Sequence, residues 1–429
     1  MTGKGSRKTS PANPREFLSQ LGPGLVTGAS DDDPSGIGTY SIAGAQFGFA
    51  SLWTAWFLFP LMAAVQMMCA RLGLVSGRGL AGLLRIHYGR AILWPACALL
   101  AFANLVNIGA DLGAMASATA MMTGIKPYYF TPVFAALIGG LVAWASYRNI
   151  ATVFKWLTLV LFAYVISAFL VHPDWGEVLH RTAVPRIQWS GRYLATLVAI
   201  LGTTISPFLF FWQATQEVEE DRDHGKSTVA KRRGATNAEV NSSRNDVITG
   251  MFFSNLIMYF IILTTAATLH AHGQTHIETT EQAAEALRPL AGRAAYLLFT
   301  LGIVGTGMLS VPVLAGSTAY AVSEGAGWRN SLEYRPHGAP EFYFILLVAL
   351  GIGGALNYFG FGVVAMLFWS AVINGVLAPP LIVLVVLMSC DRRIMGRRVA
   401  SPLLRFLGWF AAAIMTLAAV GMFATLRSG

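Results

Sequence analysis

Charge is what this chain has least of. Only 12% of its 429 residues are charged, against the roughly 25% usual for a soluble domain, while 55% are hydrophobic. Cysteine is almost as scarce: Cys69, Cys97 and Cys390 form no CxxC pair and fall in or beside apolar segments, which excludes a disulfide framework or a thiolate metal cluster. No nucleotide-binding loop, HExxH helix or nucleophile elbow occurs, so neither an enzyme nor a bound cofactor is expected. The N-terminus lacks the short apolar core and small-residue cleavage site of a signal peptide, and the first hydrophobic segment is expected to stay in the protein.

What is present is apolar sequence in long runs. A bilayer span takes about 20 predominantly apolar residues. By that measure the chain holds eleven spans, centred near residues 34, 62, 108, 139, 161, 204, 258, 307, 349, 374 and 415. They leave no room for a soluble domain, so the fold class is all-α and polytopic in a membrane. The net charge of +9 could suggest nucleic acid, but its placement argues otherwise. With a cytoplasmic N-terminus, 23 of the 30 Lys and Arg residues fall on the inner side, among them Arg148, Lys155 and those of the N-terminal tail. This predicts an inner-membrane protein with its N-terminus inside and its C-terminus outside, and with lipid, not nucleic acid, around it. Arg181, Arg186 and Arg192 share one outer loop and are the exception.

Two of the apolar segments are interrupted by proline beside polar residues, at Asp33-Pro34 in "GASDDDPSGIGTY" and at Ser206-Pro207 in "LGTTISPFLFFWQATQ". They open two groups of five spans. Interrupted segments at matching positions of two halves point to an inverted-repeat transporter with its site at the midplane. Freed backbone carbonyls at that depth are tolerated only where they are buried in protein or line a polar cavity. The competing reading is that each proline only kinks a packed helix.

Asp31, Asp32 and Asp33 are consecutive, so on a regular helix they diverge by about 100° each and cannot share one site. Asp33, beside the proline, is best placed to meet a cation; Asp31 and Asp32 are expected to face a wet vestibule. Asn104, Asn107 and Asp111 recur at spacings of three and four on one face of the third span. They read either as a route for ions or protons or as interhelical hydrogen bonding. Asn374, ahead of Pro379-Pro380, has the same two readings. His270, His272 and His276 cluster near Glu278 and Glu281 without fixed ligand spacing, as does a solvated loop. Gly302, Gly305 and Gly351–Gly354 suit close helix packing. The long insertion 216–246, acidic then basic, reads as a solvated helix end that could at most collect a departing cation.

"LGPG", "DDDPSG" and "LFPLMAAVQMMCARLGLVSGRGLAGLLR" together resemble the NRAMP divalent-metal transporters, whose first helix carries an Asp-Pro-Gly-Asn break. The resemblance covers most of residues 20–425 and implies a LeuT-like fold of five plus five inverted spans with helices 1 and 6 broken. It implies a tail over 1–20, a single transporter domain over 21–426, repeats over about 21–171 and 190–388, and an extra helix over about 402–426. It places the metal-binding aspartate on Asp33, with backbone carbonyls from Ser30 and Thr203. The family asparagine falls on Gly36, and the usual Met-Pro-His becomes Ser206-Pro207-Phe208. Asn107 stands where the family has an acid linked to proton movement, leaving Asp111 as the acid nearby.

These departures bear on the substrate. A thioether favours transition metals, whereas carboxylate, carbonyl, hydroxyl and water favour Mg²⁺, Ca²⁺ and Mn²⁺. Ser206 in place of methionine hardens the site, and magnesium, which dehydrates reluctantly, suits space that retained water can fill. The expected cargo is Mg²⁺ or Mn²⁺ rather than Fe²⁺, held by Asp33, Ser206, Ser30 and Thr203. Asp32 is included because it stays open whether Asp31 or Asp32 shares the ion. An ordinary proton-coupled Mn²⁺/Fe²⁺ symporter and a carrier of an organic cation are the alternatives. The sequence carries no sign of oligomeric state.

Overall fold

The computed structural model describes residues 23–144 and 158–427, and among them every regular element is helical. The N-terminal tail, Arg148 and Lys155 lie outside the described residues. The principal helices are α1 (Pro23–Asp31), α2 (Pro34–Phe47), α3 (Trp53–Ser76), α4 (Leu80–His87), α5 (Arg90–Thr123), α6 (Pro127–Trp144), α7 (Phe162–Leu170) and α8 (Trp175–Ala183). They continue with α9 (Gly191–Thr204), α10 (Pro207–Asp223), α11 (Asn237–Thr268), α12 (Ala295–Ala326), α13 (Pro340–Leu356), α14 (Val363–Cys390) and α15 (Pro402–Arg427). Each of the eleven sequence centres falls in one of the apolar helical segments or at a break. Among the described residues eight helical segments are sufficient by length and composition to cross a membrane, while Leu159–Leu170 and Pro340–Leu356 are shorter and the first segment is divided in two.

Both prolines break their helices rather than bend them. A residue before proline is pushed out of the helical region, and Asp33 (ψ 168°) and Ser206 (ψ 134°) are both extended. The proline then starts the next helix at a position where its missing N–H costs nothing. Two breaks of this kind bring four helix ends, from α1, α2, α9 and α10, into the interior of the bundle.

Glycine lets the first half of each broken helix press against a neighbour. A methyl group built on Gly28 of α1 would stand 2.3 Å from the Gly250 carbonyl oxygen of α11. One on Gly202 of α9 would stand 2.0 Å from the Ala371 carbonyl oxygen and 2.2 Å from the Gly375 nitrogen of α14. Backbone cannot give way as a side chain does, so Gly202→Ala is expected to destabilise the protein by at least the roughly 1–3 kcal/mol of ordinary overpacking. Thermal unfolding of purified Gly202→Ala checks this, and an unchanged midpoint contradicts it. Among the other glycines, Gly353 packs against Ile108 and Gly109 of α5, whereas Gly351 has nothing within 4 Å and makes no interface.

The insertion 216–246 is solvated over most of 223–245, as expected, but several of its charged side chains turn inward. Glu217, Glu219, Asp221, Arg232 and Asp246 are buried. Glu219 accepts from Arg222 Nη1 (2.5 Å) and Ser331 Oγ (2.7 Å), and Lys226 Nζ donates to Asp221 (2.6 Å) and Glu239 (2.9 Å). Arg232 donates to the carbonyls of Gly77, Lys226 and Ser227. Continuation of α10 through Asp223 carries Glu217, Glu219 and Asp221 inward, where Arg222 and Lys226 are near partners and Ser331 a distant one.

Candidate functional site

Asp33 is the N-cap of α2. Its Oδ1 accepts from Gly36 N at 2.6 Å and its Oδ2 from Asn107 Nδ2 at 2.7 Å, with 2% of the residue exposed. The absence of a side chain at Gly36 matters here. The point where its Cβ would stand lies 3.0 Å from Thr203 Oγ1, 3.3 Å from Asp33 Oδ1 and 3.4 Å from the Asp31 carbonyl oxygen. Three oxygens from three parts of the two breaks thus bound one small space, and any larger residue would fill it.

The other expected ligands lie on the same two breaks and are engaged in different ways. The last four carbonyls of a helix lack intrahelical partners, which frees the Ser30 carbonyl at the end of α1 and leaves the Thr203 carbonyl at the end of α9 with the Ser206 hydroxyl as its donor. The Ser30 hydroxyl donates to the Val26 carbonyl at 2.8 Å. Ser206 makes no cap bond to α10; its hydroxyl donates back to the carbonyls of Gly202 (2.7 Å) and Thr203 (2.8 Å), leaving its lone pairs unused. The expectation of a wet vestibule for Asp31 and Asp32 is corrected. They are 1% and 4% exposed and turn toward α11, where Ser254 Oγ lies 2.6 Å from Asp31 Oδ2 and 3.2 Å from Asp32 Oδ1.

The polar face of α5 is wholly interior and tied across helices. Asn104 donates to the Leu314 carbonyl and Thr318 Oγ1 of α12, Asn107 to Asp33, and Asp111 accepts from Ser35 N and Ser310 Oγ, both at 3.2 Å. Asn374 of α14 is 1% exposed, and neither of its amide atoms has a protein partner. Among the described residues no three of His, Cys, Asp and Glu are grouped to hold a metal. The histidine cluster disperses instead, His270 bonding to the Ala45 carbonyl (2.8 Å) and His272 to that of Thr268 (2.5 Å).

Sequence reading missed the Thr203 hydroxyl, the Asp31 carbonyl and Ser254, Ser310 and Ser35. It also missed a polar cluster at the start of α1, where Asp246 accepts from Gly24 N (2.6 Å) and Leu25 N (3.2 Å). There Thr27 donates to Gln213 (2.6 Å), and Gln213 and Ser243 donate to Glu217. Isolated serines and threonines in apolar helices carry no periodic signal. The loss of a side chain at position 36 was the one available clue to the oxygen-lined space.

The family model for natural resistance-associated macrophage protein-like sequences matches residues 24–425. A divalent metal cation transporter MntH of Brucella suis is 26% identical over 408 residues, covering 94% of this chain and 87% of that protein. One of Deinococcus radiodurans is 27% identical over 419 residues, covering 94% and 89%. Among solved structures, a manganese transporter of Eremococcus coleocola superposes with a TM-score of 0.77 at 18% identity, covering 96% of this chain and 87% of that one. MhsT in complex with L-phenylalanine gives 0.58 at 13% identity, covering 96% and 100%. At such identities the likeness is one of fold, and the fold is the LeuT-like architecture with two broken helices.

Proposed function

Because the chain belongs to the natural resistance-associated macrophage protein-like (NRAMP) family, we propose that it carries divalent metal cations across the cytoplasmic membrane by alternating access, and that the ion rests at the break beside Asp33. The observation that carries this reading is the space beside Gly36, bounded by a carboxylate, a hydroxyl and a carbonyl oxygen. The ligand set is Asp33, the hydroxyls of Thr203 and Ser206, and the carbonyls of Ser30 and Thr203; Asp32 is left to Ser254. The metal is cargo, and no cofactor takes part.

Oxygen ligands of this kind favour Mg²⁺ and Mn²⁺ over Fe²⁺ and Cd²⁺. Neither break segment, residues 28–40 or 201–212, contains Met, Cys or His. Met115 does pack over Gly307 beside Pro34, but it lies on the α5 and α12 side. With Asn at both 104 and 107, transport is proposed to run without protons. The surviving Asp111 favours the second reading, a proton-coupled manganese symporter of the ordinary family kind. The N-terminus is assigned to the inside and the C-terminus to the outside, from the distribution of Lys and Arg. The two repeats are assigned to about 21–171 and 190–388.

Uptake into proteoliposomes carrying an internal pH dye tests this. Entry of Mn²⁺ and Mg²⁺ down their gradients without acidification is the expected result. Acidification that tracks metal entry supports the second reading, and absence of any divalent flux contradicts both.

A further inference from the structure

A cation at the first break faces an electrostatic difficulty that the ligands alone do not remove. The N-terminus of α2 opens onto the break, and a helix N-terminus carries about half a positive charge from its unpaired N–H groups. That end repels a dication. Two carboxylates meet it: Asp33 Oδ1 takes the Gly36 N–H at 2.6 Å, and Asp111 Oδ1, from α5, takes the Ser35 N–H at 3.2 Å. The second broken helix has no such treatment, since Ser206 makes no side-chain cap to α10. Asp111 is fully buried, and its remaining bond is to Ser310 Oγ at 3.2 Å.

We propose that Asp111 is a positioning and charge-setting residue of the cation site: by capping α2 next to Asp33 it neutralises the helix terminus that would otherwise repel the ion and adds its carboxylate to that of Asp33 at the start of α2. This rests on the proposed metal-carrier function and deepens it. Asp111 does not touch the ion. It acts through the Ser35 N–H and through its own charge, while Asp33 is held by the Gly36 N–H and by Asn107.

The test is Mn²⁺ uptake by proteoliposomes of the full chain. Asp111→Asn keeps the shape and an acceptor for the Ser35 N–H while removing the charge. Its KM for Mn²⁺ is expected to rise about tenfold or more, the scale of one charge acting over a few ångströms, with the maximal rate changed far less. Asp111→Glu restores most of the affinity. Ser310→Ala, which removes only a hydrogen bond, leaves KM within about twofold, the scale of one neutral hydrogen bond. If Asp111→Asn fails to fold, Asp111→Glu decides the matter: it keeps the charge beside the Ser35 N–H, and its KM is expected to stay within a few-fold of wild type. An unchanged KM in Asp111→Asn, or a tenfold rise of KM in Asp111→Glu, overturns the proposal. A wild-type protein that moves no divalent ion overturns the metal-carrier reading itself, and this inference with it.

Discussion

Asp33→Ala is expected to abolish divalent-cation uptake while leaving the protein folded. Asp33 is the single carboxylate that borders the space beside Gly36 and also caps α2, with Asn107 fixing its second oxygen. Removing one partner of a buried charge pair costs about 3–5 kcal/mol, which is roughly two to three powers of ten in affinity. Loss of the cap costs only about 1 kcal/mol of stability, and removal of a buried charge in the ion-free state offsets part of that. The variant is therefore expected in the membrane at near-normal amounts, with Mn²⁺ uptake at the level of empty liposomes. Asp33→Asn keeps the cap to Gly36 N and loses the charge, so it should share the transport defect with an even smaller stability change. Uptake near wild type in either variant removes Asp33 from the site.

The second large effect concerns selectivity. Ser206→Met is expected to raise the preference for Cd²⁺ over Mg²⁺ by roughly tenfold or more, about 1.4 kcal/mol, by placing a soft thioether where the chain has a hard hydroxyl. Ser206 is suited to this test because it supports little else. It makes no cap to α10, and its hydroxyl is satisfied by the carbonyls of its own preceding turn at Gly202 and Thr203. Replacement also frees the Thr203 carbonyl from that bond. Competition of Cd²⁺ against Mn²⁺ uptake in the variant and the wild type measures the shift. Met115→Leu serves as the control: it removes the thioether packed over Gly307 and is expected to leave the ratio unchanged. A shift in the control instead of the variant moves the soft-metal selectivity to the α5 and α12 side of Pro34.

The breaks were legible in the sequence because at Asp33-Pro34 and Ser206-Pro207 proline stands beside polar residues. Proline disfavours helix in the residue before it, and Asp33 and Ser206 are extended, whereas Pro60, Pro95, Pro132, Pro312 and Pro379-Pro380 sit inside continuous helices. The position of Asp33 at the start of a helix was likewise open to inspection. Side-chain direction was not. Asp31 and Asp32 turn to Ser254, a residue more than 200 positions away that nothing in the α11 sequence marks out. The insertion 216–246 reads as solvated and most of 223–245 is exposed. The burial of Glu219 and Arg232 within it was not legible, because it depends on Ser331 and Gly77, which lie on separate connections. The third-helix stripe was assigned correctly to one face, but only the structure shows that this face meets α2 at the very N–H groups exposed by the break.

The measurement that tests the central claim most directly is anomalous diffraction from crystals of the full chain grown with Mn²⁺. The account predicts one strong peak in direct contact with the Asp33 carboxylate, beside Gly36 and between the ends of α1 and α9, and its loss in Asp33→Ala crystals. A peak at Asp31 and Asp32 near Ser254, or at Glu217 and Asp246 near the start of α1, with nothing at Asp33, would contradict it.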